Sequence, residues 1–377
     1  MKVVFVSNYF NHHQRALSDA LYKETNGNYT FIQTMPMENE RIRLGWGETL
    51  PAYVKLSYGD FSAYQACVEL INDADVVIAG NAPEKMVRAR IRAGKMLFRY
   101  SERIYKNKRK LLQLPLRFIK YHWNNHPPEN IYLLCASAYA AGDYRKTRNF
   151  VGKAYKWGYF PVVTHRHLDE LIARKNENPR VSLLWVGRLI GWKHPEVAVL
   201  LAKRLRDEGY SFDLDIIGSG DMEKTLEDMI QANSLQNNVH MRHAMPPEQV
   251  REHMDRADIF LSTSDYNEGW GAVLNESMNS ACAVVSSHAV GAAPFLINNG
   301  VNGFIYQNAD VEDAFIKVKK LINETALRQT LAAQAHKTIS DIWGAEQAAK
   351  RFVELANVIL EGGNAQELYH SGPCSKA

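Results

Sequence analysis

The chain has 377 residues, 46% of them hydrophobic and 23% charged, with a formal net charge of +4. That length suits two domains, and that balance suits a folded globular protein rather than a disordered one. No run approaches the roughly 18 apolar residues of a membrane-spanning helix, and the apolar core of residues 3–6 is too short for a signal peptide.

In chain order, the first half alternates β-rich apolar runs with helical patterns. Strands are expected at 2–7, 29–34, 74–79, 95–100, 131–136 and 153–160. Between them, Ala16, Leu17, Ala20 and Leu21 fall on one stripe at helical spacing, as do Tyr64, Cys67, Val68 and Ile71. Asn11 suits an N-cap for the first helix. Between Lys85 and His122 stand thirteen Lys or Arg and one acid, Glu102, so that segment carries +12 and the rest of the chain −8. A basic face on a mildly acidic body implies an anionic partner.

A polar stretch, 162–179, reads as a linker with a short helix around 167–174. The second half repeats the scheme, with strands at 181–186, 214–217, 239–241, 259–261, 283–286 and 304–306 and helices at 195–208, 221–233, 247–256, 271–280 and 311–322. A last helix is expected at 345–361, followed by a frayed tail from Gly362 onwards. Such alternation implies an α/β protein with two doubly wound parallel sheets, in domains of about 1–161 and 180–343. The four cysteines, Cys67, Cys135, Cys282 and Cys374, form no C-x-x-C pair. Neither a disulfide framework nor a zinc ribbon is expected, and the chain reads as reduced and intracellular.

The most informative segment follows the strand at 259–261: Asn267-Glu268-Gly269-Trp270-Gly271-Ala272-Val273-Leu274-Asn275-Glu276. Two glycines let backbone amides approach a ligand, and a helix start then offers unpaired N–H groups and partial positive charge, a place for phosphate. Glu268 and Glu276 cannot both serve that phosphate. Carboxylates suit hydroxyl groups, as on sugars.

This glutamate-seven-glutamate spacing with an interior Gly-x-Gly resembles the signature of retaining family-4 glycosyltransferases, whose fold is GT-B: two Rossmann-like domains facing a central cleft. Gly187-Arg188-Leu189-Ile190-Gly191-Trp192-Lys193 resembles that family's Gly-Arg-Leu…Lys element, and Asp215-Ile216-Ile217-Gly218-Ser219-Gly220-Asp221 its Ile-x-Gly-x-Gly turn. Pro294 with Gly300-Val301-Asn302-Gly303-Phe304 resembles its terminal strand region. The resemblance implies that Arg188 and Lys193 neutralise the leaving diphosphate and that Glu268 touches the transferred sugar. It implies that Glu276 holds the ribose and that Gly269, Trp270, Gly271, Ala272 and Val273 lie around sugar and diphosphate. Gly187, Gly218 and His243 complete the expected donor side, with the base near Met241–His243; Gly218 and Gly220 equally suit a tight turn, and Trp270 equally suits simple packing. No metal or other cofactor is implied. The implied donor is a nucleotide-diphosphate sugar, a UDP-sugar by prevalence in the family, and a helix at 344–362 would cross back to the first domain.

The first half departs from the family pattern. Its first loop, Asn8-Tyr9-Phe10-Asn11-His12-His13-Gln14, lacks the usual glycine pair. This loop belongs at the carboxyl edge of a parallel sheet, where ligands bind, so His12 or His13 is a candidate for facing acceptor or donor. Glu102 is an acceptor-side candidate or a helix-start charge, and Ser137 and Asp143 occupy similar strand-end loops. The basic segment 85–122, interleaved with apolar residues, suits an anionic lipid surface; no nucleic-acid recognition module is visible. The acceptor is then a hydroxyl-bearing glycan, lipid-linked or on a growing surface polymer, met in the cytoplasm or at the inner face of the plasma membrane. The alternative is a non-catalytic nucleotide-sugar or polyanion-binding protein. A nicotinamide-dependent oxidoreductase is disfavoured, because the first βα turn has no G-x-G-x-x-G.

Overall fold

A computed structural model describes residues 1–38, 49–106 and 112–377. The chain divides into a unit of Met1–Val162 with Trp343–Ala377 and a unit of Val163–Ile342.

The first unit contains β1 (Val3–Ser7), α1 (His12–Glu24), β2 (Tyr29–Gln33), β3 (Val54–Leu56), α2 (Phe61–Asp73), β4 (Val76–Ala79), α3 (Glu84–Arg92), β5 (Leu97–Ser101), α4 (Leu114–Asn124), β6 (Ile131–Cys135), α5 (Ala140–Arg145) and β7 (Ala154–Lys156). Its sheet runs in the order β3-β2-β1-β4-β5-β6-β7, parallel throughout. Every residue of β1 and β4 is buried, as central strands of a parallel sheet require. Asn11 caps α1 by accepting from the His13 amide, and Asp60 caps α2 by accepting from Ala63.

In the second unit stand α6 (Leu168–Lys175), β8 (Val181–Val186), α7 (Pro195–Asp207), β9 (Phe212–Ile217), α8 (Glu223–Ala232), β10 (Val239–Arg242), α9 (Pro247–Arg256), β11 (Ile259–Ser262), α10 (Ala272–Asn279), β12 (Ala283–Ser287), α11 (Ala293–Leu296), β13 (Phe304–Tyr306), α12 (Val311–Asn323) and α13 (Thr325–Lys337). The parallel order is β10-β9-β8-β11-β12-β13. The chain then returns to the first unit with α14 (Ala345–Leu360), which packs on α1.

Two features differ from the sequence reading. Strand β3 is unexpected; it is a three-residue edge strand whose Lys55 and Leu56 are exposed, too short to leave an apolar run. The short helix expected around 167–174 is present as α6, and its Lys175 ammonium is buried against the end of α9. There it donates to the carbonyls of Met254 (3.0 Å), Asp255 (3.2 Å) and Ala257 (2.7 Å), and burial lowers its pKa. The tail is not frayed. Lys156 of β7 donates its amide to Ser375 O (2.7 Å) and its carbonyl accepts from Cys374 N (2.8 Å), so the last residues cover the outer edge of β7. All four cysteines are buried and free.

Phe352 anchors α14: its ring lies 5.1 Å from Phe98 and 5.8 Å from Trp157. Phe352→Ala should lower stability by about 3–5 kcal/mol in denaturant titration. A loss below about 1 kcal/mol would show that α14 is not a structural part of the first unit.

Candidate active site

The second unit builds its site from strand-end loops. After β8 the chain runs through Gly187, Arg188 and Leu189 to a single 3₁₀ turn over Gly191–Lys193. After β9 it passes Gly218 and Gly220. The two loops lie so close that a Cβ on Gly218 would stand 1.9 Å from the Gly187 carbonyl oxygen, and one on Gly220 2.5 Å from that of Leu189. Backbone bonds join them: Leu189 N donates to Ser219 O (3.0 Å) and Met222 N to Leu189 O (2.9 Å). The Gly-x-Gly turn therefore serves loop-on-loop packing. The Gly218 amide is taken by Arg242 O and that of Gly187 by Ile217 O, so neither amide is open to a ligand.

Lys193 is set in place from below. The indole of buried Trp185 donates to Thr263 Oγ1 (2.7 Å), and Thr263 Oγ1 donates to the Lys193 carbonyl (2.7 Å). The Asp265 amide donates to Trp192 O (3.0 Å), tying the loop after β11 to the same turn. The Lys193 ammonium then makes an ion pair with Glu268, whose carboxylate also accepts from Ser264 Oγ (3.2 Å). Lys193 and Arg188 share one indole: they lie 4.9 and 5.8 Å from the Trp192 ring centroid, with Arg188 exposed.

Gly271 caps α10 with φ +92°, a conformation that favours glycine. A Cβ there would meet Glu268 Cγ at 3.4 Å and Val290 Cγ1 at 3.0 Å. Glu268 thus lies against the start of α10, where no side chain caps the Ala272 and Val273 amides. One turn further on, Glu276 is half-buried. Burial raises its pKa, and the nearby Arg251 guanidinium opposes that rise. Arg251 Nη1 donates to the Glu276 backbone carbonyl (2.5 Å).

The structure brings Arg188, Lys193, Glu268, Gly271, Ala272 and Val273 together. Trp270 is a correction: its side chain is fully buried and donates from Nε1 to Asn275 Oδ1 (2.8 Å), so it packs and does not face a sugar. His243 is exposed at the end of β10, beside Glu223 (3.3 Å). Sequence reasoning missed Thr263, Arg251 and the loop after β12. In that loop His288 Nδ1 accepts from the Asn308 amide (3.0 Å) and Nε2 meets Tyr266 Oη at 2.5 Å, while the Ala292 amide donates to Trp270 O (2.9 Å). For Thr263 and the β12 loop the signal was position alone, since each follows the carboxyl end of a parallel strand; Arg251, on α9, left none.

The first unit has a cavity of about 590 Å³ at the carboxyl ends of β1, β4, β5 and β6. It spans the β1/β4 switch point, where such sheets bind ligands. Asn8, Gln14, Asn81, Glu84, Arg99, Glu102, Tyr121 and Tyr159 are in its wall. Arg99 pairs with Glu84 (2.8 Å), and Glu102 accepts from Tyr159 Oη (2.7 Å) and Lys106 Nζ (2.9 Å). Glu102 thus lies in the cavity wall, as its acceptor-side reading requires. Gln14, and neither His12 nor His13, is in that wall, while His13 lies against His12 (3.9 Å) and stacks on Tyr159 (6.2 Å). Ser137, just before α5, and Asp143, within it, are buried and do not line the cavity; Asp143 accepts from the Tyr105 amide (3.0 Å). Of the basic segment, Lys108, Arg109 and Lys110 lie outside the described residues.

Two doubly wound parallel units with strand-end sites define a Rossmann-like α/β protein of the GT-B class. HepE of Anabaena has the same fold (TM-score 0.70, 14% identity, 96% of this chain and 100% of that one), as does WaaG, a glycosyltransferase involved in lipopolysaccharide biosynthesis (TM-score 0.62, 19% identity, 96% and 100%). Residues 169–338, within the second unit, match the family model "Glycosyl transferases group 1". Among curated relatives, the amylovoran biosynthesis glycosyltransferase AmsK of Erwinia amylovora is 33% identical over 137 residues, 35% of this chain and 33% of that protein. The capsular polysaccharide glycosyltransferase CapM of Staphylococcus aureus is 25% identical over 186 residues, 49% and 48%. The matches thus span a third to a half of these relatives' length.

Gly218→Ala should cost about 3 kcal/mol, because the added methyl group meets a backbone carbonyl that cannot move aside; an unchanged melting temperature would contradict the loop packing. Burial, then the charge of His12, lowers the His13 pKa from 6.5 to about 3. The unfolded chain therefore binds a proton at higher pH than the folded one, and stability present above 6.5 is lost as pH falls toward 3, at up to about 1.4 kcal/mol per pH unit. In His13→Gln this component is absent, so the stability gap between wild type and variant should change across that window. Parallel pH profiles would contradict the burial of neutral His13.

Proposed function

We propose that the chain is a glycosyltransferase that moves a hexosyl or N-acetylhexosaminyl group from a nucleotide-diphosphate sugar, a UDP-sugar, to a hydroxyl of a glycan acceptor, with retention at the anomeric carbon and without a metal. The observation that carries this reading is the Lys193–Glu268 pair set against the uncapped start of α10. The match of the second unit to the family model supports it, as do the names of relatives that build capsule and amylovoran. HepE has been solved with UDP and glucose, which supports the choice of base.

In this reading, the diphosphate enters between Lys193, Arg188 and the amides of Ala272 and Val273. Lys193 leaves Glu268 for the phosphate, and Glu268 becomes free to accept from sugar hydroxyls. Glu276, two turns from the loop mouth, accepts from the ribose. As the bond from the anomeric carbon to the phosphate oxygen breaks, negative charge grows on the diphosphate, and the two cations and the helix start stabilise it. Arg188 can do so with a planar fork and Lys193 as a point charge. The acceptor oxygen attacks from the same face, and its proton passes to the departing phosphate oxygen, so no protein nucleophile is needed. The acceptor side is the first unit's cavity. Its amide, carboxylate and tyrosine lining, with each flanking cation matched by an acid, suits an uncharged polyhydroxyl group. The enzyme works in the cytoplasm, on a lipid-linked or surface-polymer acceptor at the inner face of the plasma membrane.

Glu268→Ala and Lys193→Ala should each lower turnover by about 10²–10³-fold with the melting temperature preserved, read as nucleoside diphosphate released in the presence of acceptor. Turnover should survive a chelator, and the product should keep the donor's anomeric configuration by NMR. Full turnover in Glu268→Ala would exclude the assigned role. Absence of turnover with every nucleotide-sugar that binds would favour a non-catalytic binding protein.

A further inference from the structure

No residue of α4 is buried. One side of the helix is nevertheless fastened to the first unit. Arg117 donates to the Ile104 carbonyl (2.6 Å) and lies over the Tyr105 ring (4.9 Å), Tyr121 packs edge-on against Tyr144 (5.1 Å), and the Asn124 carbonyl accepts from Arg99 (3.1 Å). The other side carries Leu116, Ile119 and Trp123, spaced by three and four residues and hence on one stripe. Their exposures are 72, 65 and 68%, and Leu112, just before the helix, is 85% exposed. Single exposed apolar residues are ordinary, but four large ones in one row mark an interaction surface.

Charge identifies the occupant. On α3, Lys85, Arg88 and Arg92 also share a stripe, opposite the buried Met86, Val87 and Ile91. The two stripes touch: the Arg88 guanidinium lies 4.9 Å from the Trp123 ring centroid and donates to the Trp123 carbonyl. Lys120 is exposed beside the apolar row. The one carboxylate on α3 or α4, Glu84, is tied to Arg99. A second copy of this chain would bring cations against cations, and a nucleic acid would leave the leucine, isoleucine and tryptophan side chains without an apolar partner. An anionic lipid surface satisfies both rows.

We propose that α4 docks in the headgroup layer of an anionic bilayer, with Leu112, Leu116, Ile119 and Trp123 among the acyl chains and Lys85, Arg88, Arg92 and Lys120 on lipid phosphates. Tyr121 and Asn124 of the same helix are in the cavity wall, so docking holds that cavity at the lipid surface, where a membrane-anchored acceptor presents its head group. The docking itself does not depend on the transfer reading.

The test is co-sedimentation of the full chain with vesicles of phosphatidylcholine, alone or mixed with phosphatidylglycerol. Wild type should sediment with the mixed vesicles only, and less at high salt. Leu116→Ser/Ile119→Ser/Trp123→Ser, at exposed positions and checked for an unchanged melting temperature, should weaken binding by at least 100-fold. Lys85→Gln/Arg92→Gln/Lys120→Gln should weaken it by about 100-fold. Both variants should keep wild-type transfer to a water-soluble acceptor without vesicles. If wild type sediments as expected yet transfers to no soluble acceptor, the docking surface stands and the transfer reading fails. Equal binding to neutral and anionic vesicles, variants that bind like wild type, or a wild-type dimer that the apolar substitutions turn into monomer would each overturn the proposal.

Discussion

The second unit's site depends on one contact, the ion pair between Lys193 and Glu268. The two residues are seventy-five positions apart and belong to loops that follow different strands. Their meeting needs β8 and β11 side by side, the bond chain from Trp185 through Thr263 to the Lys193 carbonyl, and a glycine at the α10 cap that lets Glu268 lie against the helix start. In the proposed reaction this lysine serves the diphosphate and its partner acid the sugar hydroxyls. The pair keeps both charges matched while no ligand is bound, which is the less costly state for two half-desolvated groups.

Most of the architecture could be read from residue patterning. Central parallel strands are buried on both faces and announce themselves as apolar runs, so β1, β4, β8 and β12 were all legible. Strand β3 was not, because three residues at a sheet edge with two side chains in water carry no such pattern. The tail misled for a related reason: its pairing with β7 is made by backbone atoms, to which side-chain composition is blind.

The candidate site was legible where the chemistry is written in residue types and spacing. The two glutamates, the Arg188/Lys193 pair and Gly271 follow from the motif. What could not be read is which atoms turn inward. Trp270 lies in the middle of the motif yet faces the core, because its indole finds Asn275 one turn ahead. His12 and His13 stand out by their place at the carboxyl edge of the sheet, but the α1 start turns Gln14 to the cavity and packs His13 on Tyr159. The tyrosines and amides of that cavity come from six separate segments, and only the sheet topology gathers them.

A structure of the chain with uridine diphosphate bound tests the central contact most directly. The diphosphate should lie between Arg188, Lys193 and the Ala272 and Val273 amides, with Lys193 Nζ moved off Glu268 onto a phosphate oxygen and the ribose hydroxyls at Glu276. A diphosphate bound elsewhere in the second unit, or one bound there while Lys193 stays on Glu268, would contradict it.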